Sequence, residues 1–474
     1  MRLKKLMALG ISAVMTVSLV ACGDKTTGAD SSKADNKSDS KDKTEAAVKY
    51  TDIKLGEDYT DITADIKLLT NRTDLLDSEY KGKTWDDYLA EFNKEYPNIK
   101  VKVDGLTDYS SDSLLRLQGG NWGQIMMIPE IDKSELSEYF ISYGALSDVS
   151  TQLKYPNRWL YSGEVYGVPI TAVGRGIVYN KKVFKEAGVT ETPKTPEDFI
   201  AALEKIKENT TAIPLYTNYA AGWTMGAWDD YIGITSTGDK EYKNIKFPHT
   251  ENPFSDPGDG THPYNVYKVL YDAVEKGLTE DDFSTTDWEG CKPMINKGEI
   301  GCMVLGAWAY PQMKNAGDNG NDIGYMAFPI TIDGKQYSPA DEDYCFGISK
   351  DCSEDEQIAS MVFVKWMTEK SGYSYNEGGL PLAVGDEEYP DVYDEFIKNN
   401  VEFISNEPAK SSEEDLLNEL NATSELMIGA GGNTKIQEII EHATNKDKTF
   451  DEIMDEWNEK WSDAQAEEGV EVDK

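Results

Sequence analysis

The side chains able to do chemistry are unevenly supplied in this sequence. Asp and Glu number 86 against 47 Lys and Arg, for a net charge of −39, and there are 10 Trp and 27 Tyr but only 3 His. So few histidines make a His-rich metal centre or a Ser–His–Asp catalytic set hard to build. His249, His262 and His442 sit in polar contexts that read as solvated. No C-x-x-C spacing occurs among Cys291, Cys302, Cys345 and Cys352, which argues against a zinc ribbon or a redox pair. No metal site and no cofactor are expected. An even number of cysteines permits disulfides in an exported chain, but the apolar surroundings of Cys291 and Cys345 favour free thiols that pack as small hydrophobes. Carboxylates are too abundant to mark a catalytic pair. The run Asn71-Arg72-Thr73-Asp74 is more telling. An amide, a guanidinium and a carboxylate so close together can make charge-assisted, bidentate hydrogen bonds to vicinal hydroxyls.

These groups need a scaffold, and the chain reads as alternating strands and helices. "ADIKLLT" (64–70) alternates like a strand and runs directly into Asn71. Thr84-Trp85-Asp86-Asp87 looks like a capping box, and Trp85, Tyr88, Leu89, Phe92 and Tyr96 then recur at helical spacing until Pro97. "NIKVKVDG" follows as a second strand. This βαβ unit predicts a parallel sheet with helices on both faces. "QIMMIP" (124–129) is a short buried strand, and "YGVPITAVGRGIVYN" (166–180) is a long extended run. Thr195 caps a helix with Pro196 in its first turn. "TAIPLY", "GEIGCMVLGAW" and "DYCFGISKD" read as strands. Helices carry Val266 to Val274, Ile358 to Trp366, and Phe450 to Trp461, and Trp228 reads as core. The fold class is therefore α/β.

The N-terminus is a separate matter. Arg2, Lys4 and Lys5 precede an apolar stretch from Leu6 to Ala21, too short for a stable membrane span but ordered like a secretory signal. Leu19-Val20-Ala21-Cys22 resembles the lipobox of bacterial lipoproteins, which implies cleavage before Cys22 and diacylation of its thiol; the alternative is an ordinary signal with an incidental cysteine. Residues 23–49 are polar and cannot bury enough area to offset ordering entropy. They read as a tether. This places the protein outside the cell membrane, held to it by lipid. The acidic body argues against nucleic acid as a partner.

Three further stretches resemble one family, the solute-binding proteins of the maltose-binding type that serve carbohydrate ABC importers. They are "GEVYGVPITAVGRGIVYNKKVFKEAGVTETPKTPEDF", "MINKGEIGCMVLGAWAY" and "CFGISKDCSEDEQIASMVFVKWMTEKSGYSYNEGGLPL". Their order and spacing match over residues 60–460. The resemblance implies a two-lobed periplasmic-binding-protein-like fold with hinge strands between the lobes. On this chain the segments would be 1–21 signal peptide, 22–49 lipidated Cys22 and tether, 50–170 with 340–385 lobe one, and 171–339 with 386–474 lobe two. Gly167, Gly174 and Gly176 would lend backbone freedom to the hinge.

In open α/β sheets the ligand site lies outside the carboxyl ends of the strands. The resemblance implies that Asn71, Arg72 and Asp74 contact sugar hydroxyls there. Asp132 and Lys133 follow the strand "QIMMIP" where family members carry polar contacts, although Pro129 stands where some relatives have an aromatic. Trp308 matches the family's G-x-W tryptophan, whose indole stacks on a pyranose while its edge donates a hydrogen bond. Tyr219 and Trp223 fall where the family places second-lobe aromatics. Arg175 on the hinge run, Asp341 and Asp343 before the return strand, and Glu377 before Gly378-Gly379 complete the candidate set.

Two functions from different classes follow. One is non-catalytic capture of a carbohydrate, an oligosaccharide, for ABC importer permease subunits, by a monomer. The other is a lipid-anchored glycoside hydrolase, which needs two carboxylates about 5–10 Å apart. The lobe order favours capture. Peptides, polyamines and anionic sugars stay open as ligands.

Overall fold

The computed structural model describes residues 46–429 and 433–473. The signal, Cys22 and most of the tether lie outside the described residues. Among the described residues no helix is long and apolar enough to cross a membrane.

Two mixed sheets organise the body. The first is built on β1 (Ala64–Thr70), β2 (Ile99–Gly105) and β3 (Ile125–Met127). β1 pairs in parallel with both, in a register running from Ala64 opposite Ile99 to Thr70 opposite Gly105. The helix Trp85–Glu95 joins β1 to β2, and its Thr84–Asp87 capping box is present as the sequence predicts. Phe92 on its inner face meets Phe363 and Trp366 of the helix Glu354–Glu369, ring centroids 5.1 and 5.4 Å away. A small sheet of β4 (Gly144–Ala145), β5 (Leu160–Tyr161) and β6 (Glu164–Val165) precedes the crossing.

The chain then passes between sheets. β7 (Val168–Pro169) belongs to the first sheet, and β8 (Ala172–Asn180), only two residues later, is the long strand of the second. The return is made by β12 (Tyr337–Glu342) in the second sheet and β13 (Cys345–Ile348) in the first. β12 runs antiparallel to β8 and β13 antiparallel to β7, so the crossings form one antiparallel ribbon. The second sheet is completed by β9 (Ile213–Leu215), β10 (Ile300–Gly306), β11 (Ile323–Met326) and β14 (Glu402–Ile404). The expectation of a parallel sheet is thereby corrected. In the first sheet only β13 runs against the other strands, antiparallel to both β3 and β7, because it arrives from the other sheet.

The glycines of the crossing are also not what their composition suggested. Gly167, Gly174 and Gly176 all avoid the left-handed region. A Cβ at Gly174 would stand 2.6 Å from the Phe403 ring, and one at Gly176 would stand 2.4 Å from the Met326 carbonyl. They permit close packing rather than backbone freedom.

A second core lies under the second sheet, where Phe254, Tyr267, Trp457 and Trp461 pack edge to face between the helices His262–Glu275 and Phe450–Glu467. Trp228 is buried there against Phe328. All four described cysteines are free, with Cys291, Cys302 and Cys345 buried. The histidines are half-buried surface groups rather than fully solvated ones. His249 bonds the Glu471 carbonyl at 2.9 Å, His442 bonds Asp447 at 2.9 Å, and His262 bonds Thr261 at 2.6 Å.

Candidate functional site

The loop after β1 carries a buried cluster of charge. Arg72 donates through Nε and Nη2 to both oxygens of Asp74, at 2.9 and 2.8 Å. Nη2 also reaches Glu377 at 2.6 Å, and Nη1 reaches the Tyr373 hydroxyl at 3.2 Å. The loop is held by its own strand and helix, with Arg72 N donating to Thr70 Oγ1 and Trp85 Nε1 donating to the Arg72 carbonyl. Burial opposes charge on all three groups. It pushes the Glu377 carboxyl up against the pull of Arg72. At Asp74 the hydrogen bonds and charge of Arg72 outweigh it, and Lys292 adds to them, so this carboxyl stays below the usual range. Burial and the Glu377 charge push the nearby Tyr80 phenol up to about 12. Asn71 Oδ1 is buried in this loop without a hydrogen-bond partner.

A second group forms along the crossing ribbon. Arg175 on β8 stands opposite Gly306 of β10 and pairs with Asp230 at 3.3 Å. The Ser338 hydroxyl clamps its backbone, accepting from Arg175 N at 2.9 Å and donating to Arg175 O at 3.0 Å. Arg175 Nε is buried without a partner. Asp343 lies between β12 and β13, its amide bound to the Thr171 carbonyl at 3.0 Å. Burial raises its carboxyl against the opposing charges of Arg175, Arg158 and Arg72. Arg158 itself bonds the Asp343 carbonyl at 2.9 Å and the Glu130 carboxylate.

The third group is aromatic. Trp308 follows the end of β10, and its ring lies 5.6 Å from that of Trp223 and 5.6 Å from that of Trp288. Trp223 and Trp288 meet edge to face at 5.0 Å. Trp223 keeps 47% of its surface exposed. Lys292 sits 4.8 Å over the Trp288 ring, braced by Glu289 at 2.8 Å. The charge of the same ammonium adds to those that lower the Asp74 carboxyl. Gly378 shows how near the tryptophans come to the Arg72 cluster. A Cβ there would lie 3.1 Å from the Ala307 carbonyl, immediately before Trp308. Rings that can stack on an apolar face thus adjoin paired carboxylates and guanidinia that can bond hydroxyls.

The structure brings Asn71, Arg72, Asp74, Arg175, Trp223, Trp308, Asp343 and Glu377 into these three groups. Others it does not. Asp132 is exposed and caps a short helical turn by accepting from Ser134 N at 2.8 Å. Lys133 is half-buried, and burial lowers its pKa. Tyr219 packs on Phe283 at 4.5 Å and gives its hydroxyl to Glu441 rather than joining the tryptophans. Asp341 accepts from Asn406 at 3.1 Å. Trp288, Lys292, Tyr80, Tyr373, Arg158 and Asp230 were missed. Trp288 lies on the same helical stripe as buried Cys291 and Ile295, a spacing that marks a core face.

The family model described as "Bacterial extracellular solute-binding protein" matches residues 77–373. The "Multiple sugar-binding protein" of Streptococcus mutans is 28% identical over 310 residues, which cover 62% of this chain and 71% of that protein. An uncharacterized ABC transporter extracellular-binding protein of Pyrococcus horikoshii is 26% identical, and the chain spans only 57% of its length. Among solved structures, a manno-oligosaccharide specific solute binding protein of Bifidobacterium animalis subsp. lactis, in complex with mannotriose, superposes with a TM-score of 0.86. It is 52% identical, with 90% of this chain and 100% of that one covered. A second binding protein of an ABC transporter from the same organism, in complex with mannobiose, is 51% identical, with a TM-score of 0.86 and the same coverage.

Proposed function

The chain belongs to the bacterial extracellular solute-binding proteins, binding proteins rather than enzymes, and from that premise we propose that it captures a neutral manno-oligosaccharide for an ABC importer. The observation that carries this reading is the close approach of Gly378, next to Glu377 of the Arg72 cluster, to Ala307, next to Trp308 of the tryptophan cluster, which sets the two clusters side by side. One side supplies stacking surface and the other supplies hydrogen bonds to hydroxyls. Arg72, Arg158 and Arg175 are each already paired with a carboxylate, which suits an uncharged ligand. The mannobiose and mannotriose complexes of the two Bifidobacterium proteins support manno-oligosaccharides as the class.

Lobe one, 50–170 with 340–385, and lobe two, 171–339 with 386–474, are the bodies that close on the ligand, and the crossing ribbon is the hinge. The protein acts as a monomer, tethered outside the cell by lipid on Cys22. The glycoside hydrolase reading is set aside, because the family binds solutes. Titration calorimetry of the soluble domain with mannobiose, mannotriose and raffinose tests the proposal. Saturable binding of the two manno-oligosaccharides, weakened roughly 30- to 1000-fold in Trp308→Ala, is the expected result. Silence with both manno-oligosaccharides would overturn it.

A further inference from the structure

We infer that Gly306 is a positioning residue for the Trp308 indole, admitting the ring to the tryptophan cluster because it has no side chain of its own. The inference rests on the reading of Trp308 as a ligand-facing ring. An ideal Cβ on Gly306 would lie 2.4 Å from Trp308 Nε1, 2.7 Å from Trp308 Cδ1 and 3.1 Å from Arg175 Nη1. Carbon contacts settle at about 3.5–4 Å, so no methyl group fits while the indole stays where it is.

The backbone does not require glycine here. Gly306 is the last residue of β10, paired in regular antiparallel register with Arg175, and its φ is outside the left-handed region. Gly298, just before the same strand, is the opposite case: its φ of +83° suits glycine whatever surrounds it. At Gly306 the obstacles to alanine are the indole and the guanidinium. The indole cannot drift away without cost, because its ring also packs on Trp223 and Trp288. The bare strand end on one side and two rings on the other thus hold the Trp308 edge beside Arg175. A methyl group at Gly306 would lever the ring out of the cluster.

Gly306→Ala, Trp308→Ala and the double variant test this in the soluble domain. Without ligand, near-ultraviolet circular dichroism reads the packing of the indoles. Gly306→Ala should change this signal, and the double variant should match Trp308→Ala alone. With mannotriose as probe, Gly306→Ala should weaken binding by about tenfold or more, and should add nothing once Trp308 is gone. If Gly306→Ala fails to fold, the double variant should fold, because the clash is removed with the ring. A wild-type spectrum and affinity in Gly306→Ala, losses that add in the double variant, or a double variant that also fails to fold would each overturn the inference. Should the wild type not bind mannotriose, the ligand assignment fails, yet the ligand-free spectra still decide the role of Gly306.

Discussion

Arg72 and Glu377 are 305 residues apart in the chain and 2.6 Å apart in space. Their side chains keep only 13% and 3% of their surface exposed. The pair ties the loop after β1 to the turn after the helix Tyr373–Asn376, and Asp74 completes it from the other side. Desolvating these charges costs much of what their attraction returns, so their value lies in fixing two loops relative to each other.

Removing one partner should therefore be far worse than removing both. Arg72→Met leaves Glu377 buried without its guanidinium and should cost about 3–5 kcal/mol. Adding Glu377→Leu should recover part of that stability, although mannotriose binding stays lost. Urea denaturation of the two single variants and the double variant measures the coupling, and simply additive losses would mean that the pair is not the tie.

Glu342 should make stability depend on pH. It is the last residue of β12, buried, and accepts the backbone amides of Asn157 and Arg158. Burial and then the neighbouring Asp341 charge push its carboxyl up to about 7. Below the usual Glu range both folded and unfolded chains carry the proton, and the contribution is fully present. Between that range and pH 7 the unfolded chain ionises while the folded one stays protonated, so stability falls as pH rises. The displacement corresponds to about 3 kcal/mol. Glu342→Gln should flatten the change in urea midpoint between pH 4 and pH 8; an unaltered slope would assign the dependence to other groups.

What could be read from the sequence was what is local. The alternation of "ADIKLLT" marked β1 to its last residue, and Thr84 with Asp87 marked a helix start that the structure reproduces. Trp223 and Trp308 were found by position after their strands. Trp288 was not, because its three- and seven-residue spacing to Cys291 and Ile295 is that of a core stripe, and only the rings opposite reveal that it is shared. The Arg72–Glu377 pair leaves no local mark, since its members lie on segments that meet only after folding. The glycines of the crossing were visible, but their reason was not: close packing against Phe403 and Met326 is a property of the assembled sheets.

The anchor is predicted from Leu19-Val20-Ala21-Cys22. Cys22→Ser should release the protein to the medium or leave an uncleaved precursor. The mature wild-type N-terminus should carry two acyl chains on Cys22, enough for stable anchoring where a single chain is marginal. Mass spectrometry that finds an unmodified cysteine would leave the protein secreted but not tethered.

Closure is the remaining expectation, and it follows from where the two halves of the site are rooted. The Arg72 cluster hangs from β1 in the first sheet, and Trp308 hangs from β10 in the second. Three segments connect these sheets: β7 to β8, β12 to β13, and the stretch after Leu380, whose amide bonds the Ala172 carbonyl at 2.6 Å. A ligand that touches both clusters makes its full set of contacts only when the sheets approach, so it must shift the population towards the closed form by that difference in affinity. Small-angle scattering should show a smaller radius of gyration with saturating mannotriose than without it. Trp308→Ala at the same ligand concentration should keep the ligand-free profile, because the second sheet has lost its hold on the sugar. Wild-type scattering that does not change under conditions where calorimetry shows full occupancy would mean that the clusters are already at their binding distance, and that the ribbon is a brace rather than a hinge.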